Sequence, residues 1–124
     1  MQKRRYFGDQ RQSFRFPIAG RATLEIADGA VTVTGQLLDI STSGVALDGC
    51  GTDLWPLLGV VATLTMDSPD LAAPVLCYVT LSRQIELPDG DSKIGLELLG
   101  IDDENLARVT AYRALAIART ASAA

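Results

Sequence analysis

Between residues 17 and 99 the large apolar side chains fall at every second position, in short runs broken by turn-forming residues. A period of two describes strands with one buried face and does not fit a helix, whose period is 3.6. Ala22, Leu24 and Ile26 alternate with Arg21, Thr23 and Glu25. Asp28-Gly29 follows, a pair that favours the positive-φ positions of a tight hairpin. The return strand covers about residues 31–40, with Val31, Val33, Gly35 and Leu37 on one side. A short strand at 45–47 and a loop at 49–53 lead to Leu54-Trp55-Pro56. Further strands are expected at about 58–66, 75–86 and 93–99, separated by the Asp/Pro/Gly-rich turns at 67–70 and 88–91. No helical pattern intervenes until the end. An antiparallel barrel or sandwich is therefore expected rather than a parallel sheet.

The two ends differ from this body. After residue 101 the chain becomes rich in Ala, Leu and Arg, and a helix is expected over about 102–119. Asp102 is placed to cap it and Ile101 to staple against Leu106. Leu106, Val109, Tyr112 and Ala116 fall near one face, which is expected to pack over the barrel, and residues 120–124 read as a frayed end. Residues 1–16 are polar and arginine-rich, with neither period, and read as a mobile arm. One domain over 17–124, preceded by this arm, accounts for all 124 residues, because two domains of half that length would each bury too little.

Several functions drop out on composition. No apolar run reaches the roughly 18 residues that a membrane span needs, and Lys3-Arg4-Arg5 is not followed by the apolar stretch of a signal peptide. A cytoplasmic chain that does not insert into a membrane is expected. Histidine is absent, which removes histidine acid–base catalysis, Ser-His-Asp triads and mixed Cys/His zinc sites. Cys50 and Cys77 match no metal or redox spacing and read as buried or idle thiols, with a disulfide between them left open. The net charge of -4 is segregated. Residues 1–21 hold six basic side chains against Asp9 alone, whereas the remainder carries 5 basic and 14 acidic ones. Such a surface suits a small anionic ligand better than a nucleic acid, whose backbone most of the body would repel. Aromatic residues, at 6%, are also too few for base-stacking platforms.

The chemistry concentrates in two polar stretches flanking the first hairpin: Arg11-Gln12-Ser13-Phe14-Arg15 and Asp39-Ile40-Ser41-Thr42-Ser43-Gly44. Guanine presents donors on its Watson–Crick edge, which a carboxylate accepts, and O6 and N7 acceptors on its other edge, which a guanidinium meets with two parallel bonds. The same guanidinium groups bind phosphate oxygens or stack on purines, and sequence does not decide between these. Ser41 can donate to a phosphate or cap the turn, and Gly44 permits a left-handed backbone and close approach to a ligand. Taken singly, Asp-x-Ser-x-x-Gly is often only a turn and Arg-x-x-x-Arg is common. Together, in this order and with one hairpin between, they point to a ligand holding both guanine and phosphate.

Arg-x-x-x-Arg, a hairpin and Asp-x-Ser-x-x-Gly is the arrangement that marks PilZ domains, and the chain closely resembles that family. The resemblance covers the arm, the strands and the terminal helix. Ile94-Gly95-Leu96-Glu97-Leu98 is similar to the family's late strand, although Leu98 stands where an aromatic is common, a departure that bears on packing. The resemblance implies a six-stranded antiparallel barrel with a helix over one opening, no catalytic residues and no cofactor. It implies cyclic di-GMP as ligand, bound between the arm and the outer barrel surface, with Arg11 and Arg15 as the clamping pair and Asp39, Ser41 and Gly44 as the barrel half. Family members occur as free-standing adaptors and as regulatory parts of larger proteins, including bacterial cellulose synthases. The implied recipient of the signal is thus an effector protein or a covalently linked catalytic domain. Competing readings are an interaction module independent of nucleotide and a barrel that binds single-stranded nucleic acid.

Overall fold

The computed structural model describes residues 15–41, 43–48, 55–86, 88 and 92–123. The expected first hairpin forms from β2 (Arg21–Ile26) and β3 (Val31–Ile40), with Ile26 opposite Val31 and Arg21 opposite Gln36. Its connection has positive φ at Ala27, Asp28 and Gly29, at 55°, 56° and 90°. Asp and Gly tolerate this region readily, so Ala27 is the residue the sequence did not lead one to expect there.

Four more strands complete a ring: β4 (Gly44–Asp48), β5 (Val61–Asp67), β6 (Val75–Glu86) and β7 (Ser92–Gly100). Antiparallel pairs β2–β5, β5–β6, β6–β7, β7–β4 and β4–β3 close the sheet on itself, leaving the ring without an edge. A two-residue strand, β1 (Phe16–Pro17), adds to β3 beyond the end of β2, Phe16 opposite Ile40 and Pro17 opposite Asp39. Phe16, the last residue of the expected arm, lies in this strand. Residues 1–14, and the expectation of a mobile arm with them, lie outside the described residues, as do the loop at 49–54 and Cys50.

Period two fills the interior. Leu24, Leu47, Leu64, Val75, Val79 and Ile94 are fully enclosed, and each buried aliphatic side chain of this size favours folding by roughly 1.5–3 kcal/mol over its exposed state. Cys77 is enclosed beside them, and burial pushes its thiol up to about 11, so at neutral pH it is an inert apolar group. β5 starts at Val61 rather than near 58, because Trp55–Leu57 form a 3-10 turn and Gly59 takes a φ of 86°.

The C-terminal helix, α1 (Asp103–Ala123), closes one opening. It runs past residue 119, where the expected end lay, since no glycine or proline stops its Ala-rich last turns. Asp102 caps it, accepting from the Asn105 backbone N–H at 2.8 Å. Of the expected packed face, Tyr112 is buried and Val109 and Ala116 lie half-buried against the core, whereas Leu106 is 43% exposed and Asn105 is buried in its stead. Asn105 Oδ1 accepts from the Leu76 N–H of β6 at 3.0 Å, and Arg108 donates to the Pro74 carbonyl at 3.2 Å. Tyr112 donates its hydroxyl to the Pro17 carbonyl, tying the helix to β1. No described helix is long and apolar enough to cross a membrane.

Candidate functional site

Asp39 owes its orientation to a defect in β3. Val33, Gly35 and Leu37 point inward, and strict alternation would send Asp39 into the core after them. Instead Leu37 pairs with Leu47 and Asp39 pairs with the very next residue of β4, Ala46, so Leu38 is an inserted bulge residue. Ile40 becomes the inward residue, at 1% exposure, and Asp39 turns outward. There Arg15 Nη1 donates to Asp39 Oδ1 at 2.5 Å. The arginine side chain is 48% exposed and the aspartate 20%. An ion pair this open contributes only about 0–1 kcal/mol to stability. Its groups are available for exchange with a polar ligand.

The turn after Asp39 is held by its own serine. Ser41 is buried, its N–H donates to the Gly44 carbonyl at 2.9 Å, and its Oγ accepts from the Ser43 N–H at 3.2 Å. Of the two roles open to Ser41, capping the turn is the one these contacts fulfil. Gly44 departs from expectation: it is not among the positive-φ residues. A β-carbon there would collide with the Leu96 backbone carbonyl oxygen, so glycine is needed for close approach of β4 to β7.

Beside Asp39 a row of paired residues crosses the outer face, Ala46 of β4, Gly95 of β7 and Arg83 of β6. Ala46 and Gly95 floor a groove of about 320 Å³, and Arg15, Ser82, Arg83 and Lys93 stand around it. A second recess lies between the barrel opening and α1, lined by apolar residues such as Met66, Cys77 and Val109 with Arg113 at its polar side. Among the described residues its lining includes no carboxylate to meet guanine donors. The outer groove, flanked by Asp39, has both signs of charge within reach.

The sequence profile of the PilZ domain matches residues 9–114. The chain belongs to the PilZ domain family. Solved structures agree in fold: the Bacillus subtilis inhibitor of motility MotI/DgrA superposes with a TM-score of 0.68 at 15% identity, over 98% of this chain and 53% of that one. The K. pneumonia MrkH–c-di-GMP complex gives 0.69 at 15%, over 100% and 57%. The PilZ domain of YcgR from Escherichia coli, solved with c-di-GMP, gives 0.63 at 13%, over 96% and 95%. This chain spans about half the length of the MotI and MrkH chains. Curated protein sequences give no match.

Within this PilZ domain, Arg15 and Asp39 come together, and Ser41 and Gly44 shape the turn beside them. Arg11 lies outside the described residues. Sequence reasoning missed Ser82, Arg83 and Lys93, which reach the groove from strands more than 40 residues downstream of Asp39. For Arg83 a signal stood in the sequence of β6 itself, where an arginine occupies a position that alternation assigns to the core.

Proposed function

We propose that this PilZ domain is a receptor for cyclic di-GMP and performs no catalysis of its own. The observation that carries the reading is the exposed Arg15–Asp39 pair, turned outward by the Leu38 bulge at the edge of the groove. Guanine supplies the complement to both groups: N1–H and N2–H donors for the carboxylate, and O6/N7 acceptors or a π-face for the guanidinium. Two fold relatives, MrkH and the YcgR PilZ domain, were solved with this ligand. In this reading Arg11 joins Arg15 on the ligand and the arm orders over the groove. The signal then passes to an effector protein or a linked catalytic domain, a glycosyltransferase of the cellulose synthase kind being one such recipient.

Calorimetric titration tests this. Cyclic di-GMP is expected to bind and a single-stranded oligonucleotide is not. Arg15→Ala and Asp39→Ala should each weaken binding by roughly 2–5 kcal/mol, the cost of unpairing a desolvated charged contact, without loss of fold. Full affinity in both variants would remove the site, and no binding by the unaltered chain would favour the nucleotide-independent interaction module.

A further inference from the structure

The barrel strands and their loops, residues 21–100, carry only three cationic residues against eleven carboxylates, Arg21 at the start of β2 and, far from it in sequence, Arg83 and Lys93. The latter two line the same groove. Chance placement on an acidic barrel would scatter them, and simple solubility would pair them with the abundant acids. Neither forms an ion pair among the described residues.

Their presentation is also specific. Leu81 pairs with Leu96 and Arg83 with the preceding residue of β7, Gly95, so Ser82 is an inserted bulge residue, as Leu38 is in β3. Without it Arg83 would follow Cys77, Val79 and Leu81 into the core; with it Gln84 turns inward and Arg83 outward. Ser82 Oγ donates to the Gly95 carbonyl at 2.9 Å and pins the bulge. The Arg83 stem lies over the space where Gly95 has no side chain: a β-carbon there would sit 3.2 Å from Arg83 Cγ and 3.4 Å from Nε. Two bulges thus terminate one cross-strand row, turning out an acid at one end and a base at the other, with Ala46 and Gly95 as the low floor between.

We propose that Arg83 and Lys93 form a second wall of the ligand site, gripping the half of the dinucleotide that the Arg15–Asp39 side leaves free. This rests on the cyclic di-GMP reading above. That ligand carries two guanines and two phosphates, so a receptor with cationic groups at only one edge would leave half of it uncompensated. The ammonium of Lys93 acts as a point charge toward phosphate, and the Arg83 fork meets phosphate oxygens or the O6/N7 edge of the second guanine.

The test is calorimetry with cyclic di-GMP on the full chain, comparing Arg83→Gln, Lys93→Gln, the double variant and Gly95→Ala, with a thermal melt of each without ligand. Arg83→Gln should weaken binding about tenfold or more, as expected for a lost charged hydrogen bond. Lys93→Gln should weaken it by less, and the melts should stay unchanged because both residues are exposed or half-exposed and form no ion pair among the described residues. Gly95→Ala keeps every charge but displaces the Arg83 stem, and is expected to weaken binding too. If the unaltered chain binds while Arg83→Gln, Gly95→Ala and the double variant bind within twofold of it, the second wall is wrong and the receptor reading stands. If the unaltered chain does not bind, both fall together.

Discussion

A β-carbon on Gly44 would meet the Leu96 carbonyl oxygen, a backbone atom that cannot swing aside. Gly44→Ala therefore has to push β4 away from β7, and overpacking of this kind costs roughly 1–3 kcal/mol. Urea unfolding is expected to show that loss in the ligand-free protein. Undiminished stability would return Gly44 to the role of ligand approach. The contrast with Asp39 is instructive: its pairing with Arg15 is exposed, and removing it should leave stability within about 1 kcal/mol while damaging binding. Within one six-residue motif, then, Ser41 and Gly44 shape the backbone, and Asp39 turns outward to pair with Arg15.

Among the elements, α1 offers two separate handles, its tie to β1 through Tyr112 and its cap at Asp102. Tyr112→Phe deletes only the hydrogen bond to the Pro17 carbonyl, worth about 1 kcal/mol. Hydrogen exchange should speed up at Ile18, whose N–H donates to Leu38 just beyond Pro17, while β5 and β6 amides stay protected. Equal exchange in both proteins would mean that the helix does not restrain β1. At the helix start, hydrogen bonds from the Asn105 backbone and side chain hold the Asp102 carboxyl below its usual 3.8. A carboxyl lowered on folding stabilises above its ordinary value and loses that contribution as pH falls through the lowered one. The stability gap between the unaltered protein and Asp102→Ala should thus close as pH drops below 3.8 in urea titrations; a gap independent of pH would exclude the cap. These strands and this helix were legible because alternation and capping are local patterns. The bulges at Leu38 and Ser82 were not, since an inserted residue is defined by the partner strand's register rather than by its own sequence. For the same reason Asp39 and Arg15 could be named in advance, from one compact motif, while Arg83 could not. Leu106 misled because helical spacing places it near the packed stripe, whereas Asn105, a polar residue, holds the buried position by satisfying a strand N–H.

At the scale of the whole molecule, an acidic closed barrel carries Arg15, Arg83 and Lys93 at one groove, with Arg21 apart on β2 and the remaining described cations along the covering helix. A field of this form attracts a small dianion to one face and repels a long polyanion from the rest. In the proposed function, cyclic di-GMP occupies this groove. Amide NMR titration of the isotopically labelled chain with cyclic di-GMP tests it most directly, because it reports every strand at once. The largest shifts are expected on Arg15, Asp39, Ala46, Ser82, Arg83 and Gly95, residues that are scattered in sequence and brought together by the groove and the cross-strand row at its edge. Saturating ligand that leaves these amides in place, or shifts instead the residues of the apolar recess under α1, would contradict it.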